Sequence, residues 1–232
     1  MTDMSVNAIV SYDDSANDHD ALALGSILRD AGASLSLAYI RHFPEPDRGR
    51  ELAEQRKAED LLDRGAEWLG EPDLRRHVVL NTGTGDGLAE LAVREEADVV
   101  VFGSDAHTAP GHIGPGTSAR RLLEGGPAAV AIAPAALREL VDGMRLSRVG
   151  ALGDETATAT AHALADCFGA DVSTNAGPGV DLLVVGSRPE APEGRVLVSS
   201  ATEYAIELAT SPVLVVRRGV ALTFGTPAFA SA

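Results

Sequence analysis

The stretch "ADVVVFGSDAHTAPGHIGPGTS" occupies residues 97–118. It opens as a short β-branched apolar run, the pattern of a strand buried on both faces. Gly103 and Ser104 end that run, and a segment rich in Gly, Pro, Ser and Thr follows as far as Gly116. "TSARRLL" then reads as the opening of a helix. A glycine-rich loop between a strand and a helix N-terminus offers backbone N–H groups and a favourable dipole to phosphate. Ala106, His107 and His112 stand where such loops favour glycine, so the stretch indicates a fold class more firmly than a ligand.

The flanking chain repeats this strand–helix alternation. Apolar runs occur at "NAIVSY", "SLSLAYIRHF", "HVVLN" and "AAVAIAP". Helical stripes lie between them at Leu24, Ile27, Leu28 and Ala31, at Ala58, Leu61, Leu62 and Leu69, and at Leu88, Leu91 and Ala92. Asp18 and Asp86 are read as helix N-caps. Such alternation predicts a mainly parallel sheet covered by helices on both faces. After "AALRELVDGM" a second series begins: "RVGAL", a stripe at Ala157, Ala161, Leu164, Ala165 and Phe168, then "ADVST" and "DLLVVGS". A last stripe at Ala201, Tyr204, Ala205 and Leu208 leads into "PVLVVRR".

Side by side, the two series form a repeat. "ADVVVFGS" matches "VDLLVVGS", and "EGGPAAVAIAP" matches "LATSPVLVVRR". The second copy lacks the helix, strand and helix that span roughly residues 51–95 of the first. The expected organisation is a complete unit at 1–134, a linker at 135–146, a shortened unit at 147–218 and a tail at 219–232.

Composition narrows the function. With 45% hydrophobic and 4% aromatic residues, the core must be built mainly from Ala, Val, Leu and Ile. A net charge of −15 argues against nucleic acid and against an anionic membrane as partners, because both attract clustered Lys and Arg. The single cysteine, Cys167, excludes an internal disulfide and is read as a small buried hydrophobe. The opening "MTDMSVNAIVSYDD" has no basic segment before an apolar one, and no run is long enough to span a membrane, so a cytoplasmic location is expected.

The loop spacing resembles that of the universal stress protein family in tandem form. Its nucleotide-binding members carry G-x-x-G, nine residues, then G-[ST] after the fourth strand. Here Gly103, Ala106, and Gly116-Thr117 keep that register, and Gly186, Pro189 and Ser199-Ser200 keep it again. "VSYDDS" is similar to the family's opening, with Asp13 in the aspartate position. The resemblance implies two Rossmann-like α/β units of the adenine nucleotide alpha hydrolase-like kind, the second shortened. They would pair as an internal pseudo-dimer through Ala128–Ala133 and Val213–Val216. It further implies strand order 3-2-1-4-5, with a ligand crevice where the order reverses. An adenine nucleotide there, ATP or AMP, with Mg²⁺ accompanying ATP, would meet Asp13 and the backbone near Ile40 at its adenine end. Gly103, Ala106, Gly116, Thr117 and Ser118 would meet its phosphates.

The residues also raise objections. If position 106 needs positive φ, alanine there costs about 1–2 kcal/mol. Pro189 and Ser199 make the second loop the poorer seat. His107 and His112 read as solvated loop histidines rather than metal ligands, and Arg120 and Arg121 as partners of surface carboxylates. No catalytic signature occurs. Three functions stay open: a nucleotide-sensing regulator with a protein partner, a nucleotide-free scaffold with a vestigial loop, and a slow Mg²⁺-dependent nucleotide hydrolase. Further self-association is also left open.

Overall fold

The structure is a computed structural model that describes residues 6–141, 145–174 and 179–225. Its elements run β1 (Asn7–Ser11), α1 (Ala16–Asp30), β2 (Ser34–Arg41), α2 (Arg48–Trp68), β3 (Arg75–Leu80), α3 (Thr84–Arg94), β4 (Val99–Phe102), α4 (Thr117–Leu123) and β5 (Ala129–Ile132). They continue with a 3₁₀ turn (Leu137–Glu139), β6 (Arg148–Leu152), α5 (Glu155–Phe168), β7 (Asp171–Ser173), β8 (Leu182–Val185), α6 (Ser200–Leu208) and β9 (Val213–Val215). Every apolar run of the sequence contains a strand.

All nine strands join one sheet in the order β3-β2-β1-β4-β5-β9-β8-β6-β7. Each neighbouring pair is parallel except β5 and β9, which run antiparallel with Ala131 opposite Leu214. The central strands β4, β5, β8 and β9 are buried along their whole length, as continuous Val/Ala/Leu/Ile runs require when helices cover both faces. One core lies beneath α1, α2 and α5, and the other beneath α3, α4 and α6.

Helix starts follow cap chemistry, with two departures from the sequence reading. Ser15, not Asp18, caps α1: its side chain accepts the Asp18 N–H, and Asp18 stands in the first turn. Gly83 precedes α3 without a side-chain cap, and Asp86 likewise stands in the first turn. In both cases a carboxylate near the positive end of the helix is favourable without occupying the cap itself. A third departure is α6. The stripe Ala201, Tyr204 and Leu208 is exposed, and Ile206 is the residue buried against the core. Four helical positions fit either face when a helix has few large side chains, and α6 packs through the other one.

The segment after β9 docks back on the fold. Leu222 is buried and donates its N–H to Thr160 Oγ1 at 3.0 Å, while the Cys167 thiol donates to the Gly225 carbonyl at 3.2 Å. Cys167 is thus half-buried, with burial pushing its thiol pKa up. Residues 226–232 of the expected tail and 142–144 of the expected linker lie outside the described residues.

The repeat is visible bond by bond, at a constant offset of 83 positions. Ser104 Oγ donates to the Ala133 carbonyl at 2.7 Å, and Ser187 Oγ to that of Val216 at 2.7 Å. Each serine then accepts a backbone N–H, from Gly114 and from Leu197, both at 3.2 Å. Asp105→Gly114, Thr108→Asp105, Gly111→Ala135 and His112→Ala109 recur as Arg188→Leu197, Ala191→Arg188, Gly194→Arg218 and Arg195→Pro192. The serine of each "GS" is therefore a buried clamp between the loop and the strand beside it. Ser104→Ala and Ser187→Ala each strand a carbonyl and an amide, so each is expected to cost about 2 kcal/mol in urea unfolding. A loss under about 0.5 kcal/mol in either would refute the clamp.

Candidate ligand-binding site

In an open α/β sheet the ligand crevice lies beyond the carboxyl ends of the strands where the order reverses. In the first five strands that point falls between β1 and β4. A cleft of about 450 Å³ opens beside it, lined by Tyr12, Asp13, Asp14, Ser15, Tyr39, Ile40, His42 and Thr84 among others. The volume lies within the range of small-molecule pockets. A larger hollow, of about 740 Å³, lies at the opposite, amino-terminal ends of β1 to β3. Its Arg29 is already bonded to Glu71, and it lies away from the strand ends that carry ligands in this architecture.

Two of the residues proposed from sequence, Asp13 and Ile40, share the cleft. The other five do not line it. Gly103 lies under the first turn of α1, where Asn17 Nδ2 donates to the Ser104 carbonyl at 2.8 Å. Gly116 heads α4 with no side-chain cap, followed by Thr117 and Ser118. Ala106 sits exposed in a turn between them.

The strain expected at Ala106 is absent. Among the described residues, the non-glycine residues with positive φ are Asp14, Glu96 and Ala136. The loop's left-handed position is Gly111, φ 76°, and its repeat is Gly194, φ 73°. Position 106 needs no glycine, and by the same register Pro189 meets no demand for one. Ala106→Gly is therefore expected to leave any stabilisation by ATP unchanged in a thermal shift assay; a clear gain would contradict the geometry.

Much of the loop's donor capacity is spent inside the loop. The N–H groups of Asp105, His107, Thr108, His112 and Gly114 bond to its own carbonyls and side chains, and that of Gly111 bonds to Ala135. Arg120 and Arg121 are held by Glu207 at 2.8 Å and Asp86 at 2.7 Å, as the sequence suggested. Among the described residues, no group of three or more His, Cys, Asp or Glu side chains is placed to hold a metal ion. The second loop is committed further: Ser199 caps α6, and Val196 and Val198 donate to the carbonyls of Gly126 and Leu123. It braces the junction between α4 and β5.

The cleft's electrostatics come from pairings the sequence did not reveal. Tyr12 Oη donates to Asp14 Oδ1 at 2.7 Å, and Arg64 donates to Asp14 Oδ2 at 2.8 Å. These two bonds hold the Asp14 carboxyl below its usual pKa, whereas burial and then Asp14 push the Tyr12 phenol well up. Arg64 comes from α2, fifty positions away, so no local pattern could reveal the pair. Asp14 adopts φ 69°, a conformation more open to Asp than to most side chains. His19 stacks edge-on against Tyr12 and Trp68, at 5.7 and 5.9 Å.

Asp13 and Asp18 form a second pair. Asp18 Oδ2 accepts the Asp13 N–H at 2.7 Å, and Asp13 Oδ1 accepts the Ser15 N–H at 3.1 Å. The hydrogen bond with Asp18 keeps Asp13 ionised, while burial and the neighbouring Asp13 carboxylate raise Asp18 to about 8. Folded Asp18 holds a proton that the unfolded chain releases near pH 4. This group's contribution to stability is thus whole below that pH and lost as pH rises toward 8. Asp18→Asn keeps the acceptor and cannot ionise, so the variant should gain on the native protein in melting temperature between pH 5 and 9. Parallel melting curves across that range would show that Asp18 titrates normally.

Residues 169–217 match the universal stress protein family. This stretch of the chain is similar to universal stress proteins. The match falls on the shortened second copy. A universal stress protein of Archaeoglobus fulgidus shares the fold at TM-score 0.58 and 15% identity, over 92% of this chain and 98% of that one. A Pseudomonas aeruginosa protein described as a universal stress protein does so at TM-score 0.58 and 12% identity, over 92% of each chain. No curated protein matches the sequence. At such identities the universal stress protein likeness establishes a mostly parallel α/β sheet and leaves the ligand to the site itself. No helix among the described residues is long and apolar enough to cross a membrane.

Proposed function

We propose that this chain is a ligand-sensing regulatory protein whose N-terminal half holds the adenosine end of an adenine nucleotide, AMP or ATP, in the cleft at Asp13. The observation that carries this reading is the convergence of Asp13 and Ile40 on one cleft of about 450 Å³ beside the reversal of strand order. Asp13 offers an ionised acceptor, Tyr39 and His42 offer ring surface, and the end of β2 offers backbone groups. The start of α4, which has no side-chain cap, would take the phosphates, with Mg²⁺ accompanying ATP.

Isothermal calorimetry with AMP, ADP and ATP, with and without Mg²⁺, tests this directly. Saturable heat that Asp13→Asn diminishes is the expected result; no heat at millimolar ligand overturns the reading. The self-bonded loop favours one alternative, a nucleotide-free scaffold, and that silent titration is its signature. Phosphate release from ATP that Asp13→Asn abolishes would instead indicate a slow hydrolase.

A further inference from the structure

In the first half α3 covers one side of α4. A Cβ on Gly85 would lie 2.8 Å from Arg121 Cβ and 3.1 Å from the Ser118 carbonyl, and Asp86 of the same helix pairs with Arg121. The 83-position register carries Ser118, Arg121 and Gly125 onto Ala201, Tyr204 and Leu208. Among the described residues the chain passes from β7 to β8 with no counterpart of α3. The corresponding side of α6 is bare: Tyr204 is 63% exposed, Leu208 is 61% exposed, and Ala201 is exposed beside them. Ala, Tyr and Leu at i, i+3 and i+7 form the stripe a helix normally buries. Its partner in this architecture has been deleted, yet the side chains are apolar where α4 carries Ser and Arg.

Charge distinguishes the occupants. Glu203 and Glu207 lie on the same helix; Glu207 is answered by Arg120, and Glu203 has no ion-pair partner among the described residues. A second copy would bring the same acidic helix and a net charge of −15 against this one. We propose that the Ala201–Tyr204–Leu208 face of α6 docks an amphipathic helix of a partner protein, with a small residue at the crossing and Lys or Arg on its flanks. That helix takes the place against α6 that α3 takes against α4.

The probe is a stapled peptide copying residues 81–97 with Asp86→Lys and Glu90→Lys, the staple on its solvent side to remove the cost of ordering a short helix. Titrated into the isotopically labelled full chain, it should shift α6 resonances saturably. Tyr204→Glu should weaken binding at least about tenfold, as loss of a central aromatic contact does. The unsubstituted acidic peptide should bind more weakly than the basic one. Tyr204 is exposed, so its variant should retain the native melting temperature; Leu208→Glu serves as a second variant. Absence of saturable shifts at about 1 mM peptide, the weakest class of association, overturns the proposal. So do shifts confined to other surfaces, or an affinity in both variants unchanged from that of the native chain. Dimerisation in sedimentation that Tyr204→Glu abolishes would assign the face to a second copy instead, and would also overturn it.

Discussion

Replacing Asp20 by alanine is expected to lower unfolding free energy by about 2–4 kcal/mol, because it strands two amide donors and one partly exposed guanidinium around a buried position. Asp20 is fully buried in α1, and among the described residues its carboxylate bonds to the segment that follows β5. It accepts the N–H groups of Ala136 and Arg138, both at 2.9 Å, and both its oxygens accept from Arg138 Nη1 at 3.0 Å. Ala136 is left-handed, with φ 68°, so the carboxylate also holds a backbone conformation that alanine resists. Without it, two amides and a guanidinium lose their acceptor, and α1 keeps only the bond from Arg138 to the Ala16 carbonyl as a polar tie to this segment among the described residues. Asp20→Asn keeps one acceptor and should cost roughly half as much. Urea unfolding decides the matter: a loss under about 1 kcal/mol for the alanine variant would mean that water or a side-chain shift satisfies these donors.

The strands were legible because an α/β sheet buried on both faces demands continuous apolar runs, and the chain is otherwise polar enough to set them off. The loop register was legible because it occurs twice. What spacing could not reveal was the reason for each glycine. Ala106 stood at the family's glycine position and suggested strain, yet the left-handed position is Gly111. The face of α6 was misread because its largest apolar side chains point outward, where the shortened second copy leaves them uncovered. In the cleft, Asp13 and Ile40 were available from the family resemblance. Tyr12, Asp14 and Arg64 were not, since their partnership is set by α2 crossing the end of β1. The pairing of Asp18 with Asp13 depends on a turn geometry that two aspartates five positions apart do not announce.

The second large effect concerns the glycine that opens the loop. Gly103→Ala is expected to destabilise the chain by about 2–4 kcal/mol, because its Cβ would collide with the carbonyl of Asn17 in the first turn of α1. That backbone has little room to retreat: Ser15 caps the helix, Asn17 is bonded to Ser104, and Asp20 anchors the next turn. The repeat supplies an internal comparison. At Gly186 the new Cβ would meet the Asp154 side chain at 2.7 Å and its backbone N at 3.1 Å, so Gly186→Ala should cost less, about 1–2 kcal/mol. At Gly116 a Cβ has open space and φ is −69°, so alanine should cost under about 1 kcal/mol, the ordinary penalty of a non-capping residue there. Equal melting temperatures for Gly103→Ala and Gly116→Ala would defeat this ordering. If it holds, Gly103 is required for close packing of α1 on the loop, and its presence says nothing by itself about phosphate. Occupancy of the cleft then has to be judged at Asp13, and the glycine spacing that made the stretch recognisable becomes evidence about the fold.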